Sequence, residues 1–104
     1  MFYALDSLPI ALTDVNMHRM NTLVAVPPGS TRFQIQNLGA AAAYVGISSG
    51  AVAPAKETCH TLLQFQIITV DQAGGDKIWV GADWVGADAV HNMIVTPYIG
   101  SAGN

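Results

Sequence analysis

TRFQIQN, residues 31–37, is the stretch on which the fold class turns. Phe33 and Ile35 alternate with Arg32, Gln34 and Gln36, a spacing that puts apolar side chains on one face of a strand and polar ones on the other. The next run, Ala42 to Ser48, repeats the pattern, with Ala43, Val45 and Ile47 on one side and Tyr44 and Gly46 on the other. Asn37-Leu38-Gly39 between the two runs is expected to start a hairpin joining them. Working outward, Leu63, Phe65 and Ile67 alternate with Gln64 and Gln66, and Ile68 and Val70 continue in the opposite phase. A one-residue phase change of that kind implies a β-bulge or a strand that changes face.

Lys77 to Ala82 places Ile78, Val80 and Ala82 in phase, with Trp79 pointing the other way. Ala89 to Thr96 is apolar on both faces and reads as a central strand ending at Pro97; Leu23 to Val26 reads as a short strand before Pro27-Pro28. Turn-forming clusters at 27–30, 37–39, 48–50, 71–76, 83–88 and 100–104 recur at intervals of roughly ten residues, the spacing of short strands in a sandwich or barrel. Ala40 to Ala43 has helix propensity, but Gly39 and Gly46 confine it too closely for a helix. These readings predict an all-β fold, a single antiparallel sandwich over residues 22–104. Residues 1–21 differ: Phe2, Tyr3, Leu5, Leu8, Ile10, Leu12, Met17 and Met20 are scattered among Asp6, Ser7, Pro9, Asp14 and Asn16. That composition predicts an extended apolar N-terminal arm, which is either the first strand of its own sheet or a strand laid on a neighbouring subunit.

The chain of 104 residues is one domain in size, and 51% apolar residues exclude intrinsic disorder. Only 11% of residues are charged, against about 25% in an average soluble domain. A surface so poor in charge favours association. The mean hydropathy of +0.36 invites a membrane reading. The longest uncharged window, Phe33 to Ala55, contains Gln34, Gln36, Asn37, Ser48, Ser49, Pro54 and three glycines, so no spanning helix is expected. No Lys or Arg precedes Arg19, so no secretory signal is expected either. A formal charge of −3 leaves no basic footprint for nucleic acid. A single Cys59 forms no internal disulfide and suits a reducing compartment.

The residues that could carry chemistry are few. His18, Cys59, His60 and His91 lack a metal-ligand spacing, because adjacent Cys59 and His60 on a strand face opposite ways, and Cys59 is expected to be a small buried hydrophobe. Asp71 to Asp76 lacks the ligand set of a calcium loop and is expected to be a hairpin turn. Asp83 and Asp88 flank Trp84 without a glutamate nearby for acid catalysis, so the loop is read as presenting Trp84 to a partner. Trp79, Trp84, Tyr44 and Tyr98 could form a sugar-stacking platform or serve as packing and interface anchors. No glycine-rich phosphate loop is present. The reading is of a non-enzymatic chain without a cofactor.

The run FQIQNLGAAAAYVGISSG, residues 33–50, with Pro27-Pro28-Gly29 before it and Lys77-Ile78-Trp79-Val80 after it, resembles small β-sandwich virion proteins of tailed bacteriophages. The likeness covers residues 22 to 96. It implies a jelly-roll-like, commonly trimeric subunit that acts as a capsid decoration (cement) protein, or as a tail, baseplate or head-completion component. A small carbohydrate-binding module is the alternative outside the virion. The implied partners are the major capsid protein or other virion subunits, and the implied location is the virion, after synthesis in the host cytoplasm. The resemblance supplies no catalytic residue. The expected partner-binding residues are Phe2, Tyr3, Leu5 and Leu8 of the arm, and Trp84.

Overall fold

A computed structural model describes residues 1–83 and 93–100. The Trp84 loop, with Asp88 and His91, lies outside them. The first sheet contains β1 (Phe2–Ala4), β2 (Leu8–Ile10), β4 (Ser30–Asn37), β7 (Ile67–Asp71) and β9 (Met93–Gly100). The second contains β3 (His18–Arg19), β5 (Ala43–Ile47), β6 (His60–Leu62) and β8 (Ile78–Ala82). Strands β1 and β2 lie end to end along β9, giving the order β1/β2-β9-β4-β7; the second sheet runs β3-β8-β5-β6, and every pairing is antiparallel.

The pairings are nested. β1/β2 pairs β9, β3 pairs β8, β4 pairs β7 and β5 pairs β6, so the chain is one long antiparallel ribbon whose tip is the β5–β6 connection. The ribbon wraps until β9 also meets β4 and β8 also meets β5. This is the jelly-roll arrangement, an all-β sandwich made of two packed antiparallel sheets.

The alternation in β4 places Phe33 and Ile35 in the core, fully buried, with Arg32, Gln34 and Gln36 outward. Facing them are Ala43, Val45, Leu62, Ile78, Val80 and Ala82 of the second sheet. Each large side chain so buried contributes roughly 1.5–3 kcal/mol relative to exposure. Met20, at the start of the single helical turn α1 (Met20–Leu23), closes one end of this core beside Phe33 and Gly75. A Cβ on Gly75 would come within 2.8 Å of Met20 Cε and 2.9 Å of Phe33 Cζ, and its φ of +74° lies in the left-handed region; both restrict this position to glycine. The accessible surface of 5630 Å² is close to the ~5,600 Å² of a compact monomer of this mass.

Residues 1–21 belong to both sheets. Ile10 and Leu12 are core residues, and β1 and β2 hydrogen-bond along β9. The register slips by one between Ala4↔Tyr98 and Leu8↔Val95, so three arm residues oppose Thr96 and Pro97. Pro97 explains the slip. Its carbonyl accepts from Leu5 N at 2.8 Å, so the nitrogen that carries no hydrogen faces the same bulge, where no ladder bond is lost. The expected end of the strand at Pro97 is therefore corrected: β9 runs on to Gly100.

Three further expectations change. β4 and β5 do not form a hairpin, because Asn37-Leu38-Gly39 opens a crossing between the sheets. The Asp71–Asp76 segment is likewise a crossing, from β7 to β8, rather than a hairpin turn. Leu23 to Val26 is not a strand: Leu23 ends α1, and Val24 and Val26 pack half-buried against the core.

Candidate interaction surface

The connections β2–β3, β4–β5, β6–β7 and β8–β9 all leave from one end of the sandwich, as the nested antiparallel topology requires. Asn37 organises this end. Its side chain is buried, and Nδ2 donates to the carbonyls of Ala41 (2.9 Å) and Leu62 (3.0 Å) while Oδ1 accepts from Gly39 N (3.0 Å). One amide thus joins β4, the β4–β5 crossing and β6.

Beside it, the phase change near residue 67 resolves into a four-residue turn that carries the chain from β6 in one sheet to β7 in the other. Gln66 N donates to Leu63 O at 3.0 Å, and Phe65 adopts φ 68°, the left-handed conformation that a bulky residue rarely takes. Four other bonds lock it. Phe65 N donates to Asn37 O, Asn37 N to Gln66 O, Gln36 Nε2 to Phe65 O and Leu63 N to Gln66 Oε1. The result is outward display of apolar groups: Leu63, Phe65 and Ile67 are 59%, 63% and 52% exposed. The sequence alternation had suggested a strand with one buried face here. The phase break was the available signal that the chain leaves one sheet for the other.

The arm residues are distributed over its two faces. Phe2 lies under the Arg32 guanidinium, 3.7 Å from its ring centroid, on the outer face of the first sheet. Arg32 Nη2 also bonds Asp71 Oδ2 at 3.0 Å, which raises the arginine and holds the Asp71 carboxyl below its ordinary range. Tyr3 is exposed and stands cross-strand from Ile99. Leu5 and Leu8 are half-buried, with Leu8 packed on the core. Of the expected partner-binding residues, Tyr3 is the one whose side chain is mostly open, and Trp84 lies outside the described residues.

Among the described residues the aromatic candidates are split between the two sheets. Trp79 is only 7% exposed, covered by Arg19 at 5.2 Å and bonded through Nε1 to Ser48 O. Tyr44 is on the second sheet and Tyr98 on the first. Tyr44 donates to Asp83 Oδ2 at 2.8 Å, which raises its pKa, and Lys56 lies over its ring. Cys59 is half-buried under Gly46 and its thiol is pushed up by burial, while His60 beside it is exposed. His18 Nε2 bonds Asp14 Oδ1 at 2.7 Å, which lowers the Asp14 carboxyl. Asp71 is held by Arg32 and Asp76 accepts from Gln72, so the two carboxylates face separate partners. Among the described residues no cavity opens, and no three His, Cys, Asp or Glu side chains converge. No helix among them is long and apolar enough to cross a membrane. No family model, curated protein or solved structure matches the chain.

Proposed function

We propose that this chain is a non-enzymatic structural subunit of a phage virion, a capsid decoration protein that binds the head shell and stabilises it by mass action. The observation that carries the reading is the apolar group Leu63, Phe65 and Ile67, held outward by a turn whose backbone pays conformational strain to do so. A partner surface that covers these three side chains would recover their burial energy. The jelly-roll topology and the low charge agree with a subunit that works in an assembly, although the same topology also serves lectins. A tail, baseplate or head-completion role would use the same surface with another partner. The carbohydrate alternative draws on Trp79, Trp84 or Tyr98; of these, Trp79 has a covered ring, which favours the assembly reading.

The test is quantitative mass spectrometry of purified particles from the phage that encodes the chain, combined with add-back to particles lacking it. The chain should be present in a fixed ratio to the major capsid protein, and Phe65→Asn should fail to occupy the shell while remaining folded. Absence from particles, or full occupancy by the variant, overturns the proposal. Fractionation of heads from tails separates the decoration role from the tail roles.

A further inference from the structure

Among the described residues the two sheets end in four strand edges. β3 has two residues and β6 has three. β2 carries Pro9, which pairs across from Ile94 in a non-hydrogen-bonded position, so its ring blocks the outward side of that edge. β7 is different: Ile67–Asp71 is five residues long and contains neither proline nor lysine.

The register of β7 shows what its open side offers. Asn37 N donates to Gln66 O and Gln72 N donates to Thr31 O, so residues 66, 68, 70 and 72 address β4. Ile67, Thr69 and Asp71 therefore point their N–H and C=O groups outward, where they meet no partner among the described residues. These three positions are symmetric about Thr69. A second β7 laid antiparallel about Thr69 presents the same three outward positions, so each outward donor of one copy meets an acceptor of the other.

We infer that β7 is the docking edge for a second copy of this chain, paired antiparallel to β7 of that copy about a two-fold axis through Thr69. Ile67 then exchanges both backbone bonds with Asp71 of the partner subunit, and the two Thr69 residues exchange theirs on the axis. Threonine pairs are favourable across strands. Half-buried Ile68 comes opposite Val70 of the partner subunit on the core side, in the closer, non-bonded position, and the two first sheets become continuous. Charge also fits a second copy: each Asp71, already neutralised by Arg32, faces an isoleucine rather than the other Asp71. The inference holds whether or not the chain belongs to a virion.

Sedimentation velocity of the full chain, over a concentration series reaching the high micromolar range, tests it. The wild type should be a dimer. Ile67→Asp sets two carboxylates opposite the partner's Asp71 at both ends of the interface and should weaken dimerisation about tenfold or more. Ile67→Lys places an ammonium opposite the same carboxylate and should keep or tighten it. Thr69→Lys, at a second exposed position, sets two ammonium groups together on the axis and should also dissociate the pair, with the circular dichroism of all variants unchanged. A monomeric wild type, a trimer, or equal losses in Ile67→Asp and Ile67→Lys would overturn the inference.

Discussion

Phe65 occupies the third position of its turn at φ 68°, where glycine or asparagine would be at ease. The cost of a bulky residue there is on the order of 1–3 kcal/mol. Its ring is mostly exposed, so it regains little of that in the isolated chain. Phe65→Asn should therefore raise stability by about 0.5–1 kcal/mol, a rise of ~2–8 °C in Tm for a domain of this size. The same variant should lose the partner, so a melting curve and a binding assay should move in opposite directions. Asn37 is the contrary case. Its side chain satisfies three backbone groups at one end of the core, and Asn37→Ala removes that partner from the half-buried Ala41 carbonyl and Gly39 N–H and from the buried Leu62 carbonyl. A loss of about 2–3 kcal/mol in chemical denaturation is expected, without a change in the slope of the transition.

Individual strands were more legible than their partners. The alternation of Phe33 and Ile35, and of Ile78, Val80 and Ala82, reports which face is buried, and the structure buries all five. Ile47 keeps the phase of its strand but emerges at the end of the sheet, exposed. Periodicity cannot say whether consecutive strands pair with each other or pass to opposite sheets, because both solutions bury the same face. This ambiguity concealed the crossing after Asn37 and the turn at Leu63 to Gln66. Pro97 misled for a related reason: proline usually ends an inner strand, but here an arm bulge faces its missing donor. The arm itself supplies β1, β2 and the core residues Ile10 and Leu12. Deleting residues 1–12 removes two side chains each worth roughly 2–5 kcal/mol and uncovers β9, against a total stability of ~5–15 kcal/mol for a domain. The truncated chain should lose its cooperative thermal transition; a sharp calorimetric peak would show that the arm is dispensable to the fold.

At the scale of the whole molecule, the low charge leaves few groups to set the response to pH, and their locations make that response specific. Among the described residues two carboxyls are held low: Asp71 by the Arg32 guanidinium, and Asp14 by the His18 ring and Asn16 N–H. Each has a folded pKa below the unfolded value of 3.8, so each binds protons more readily in the unfolded chain. Their contribution is therefore complete above pH 3.8 and is lost as pH falls through their lower folded values. Both lie at the surface, so the effect is modest and screened by salt. Thermal melts between pH 6 and pH 2 should show Tm flat near neutrality and falling below about pH 4. Asp71→Asn should lower the neutral plateau slightly and flatten the acid limb, and molar salt should imitate it without mutation. The Asp71 pair also ties the fold to the surface proposed for assembly, because Arg32 joins Phe2 of the arm to the open edge of β7. If that edge pairs with a second copy, the acid limb should depend on protein concentration in the wild type and lose that dependence in Thr69→Lys, whose ammonium groups stay charged in acid. A concentration-independent limb in both would mean that acid acts on the monomer alone.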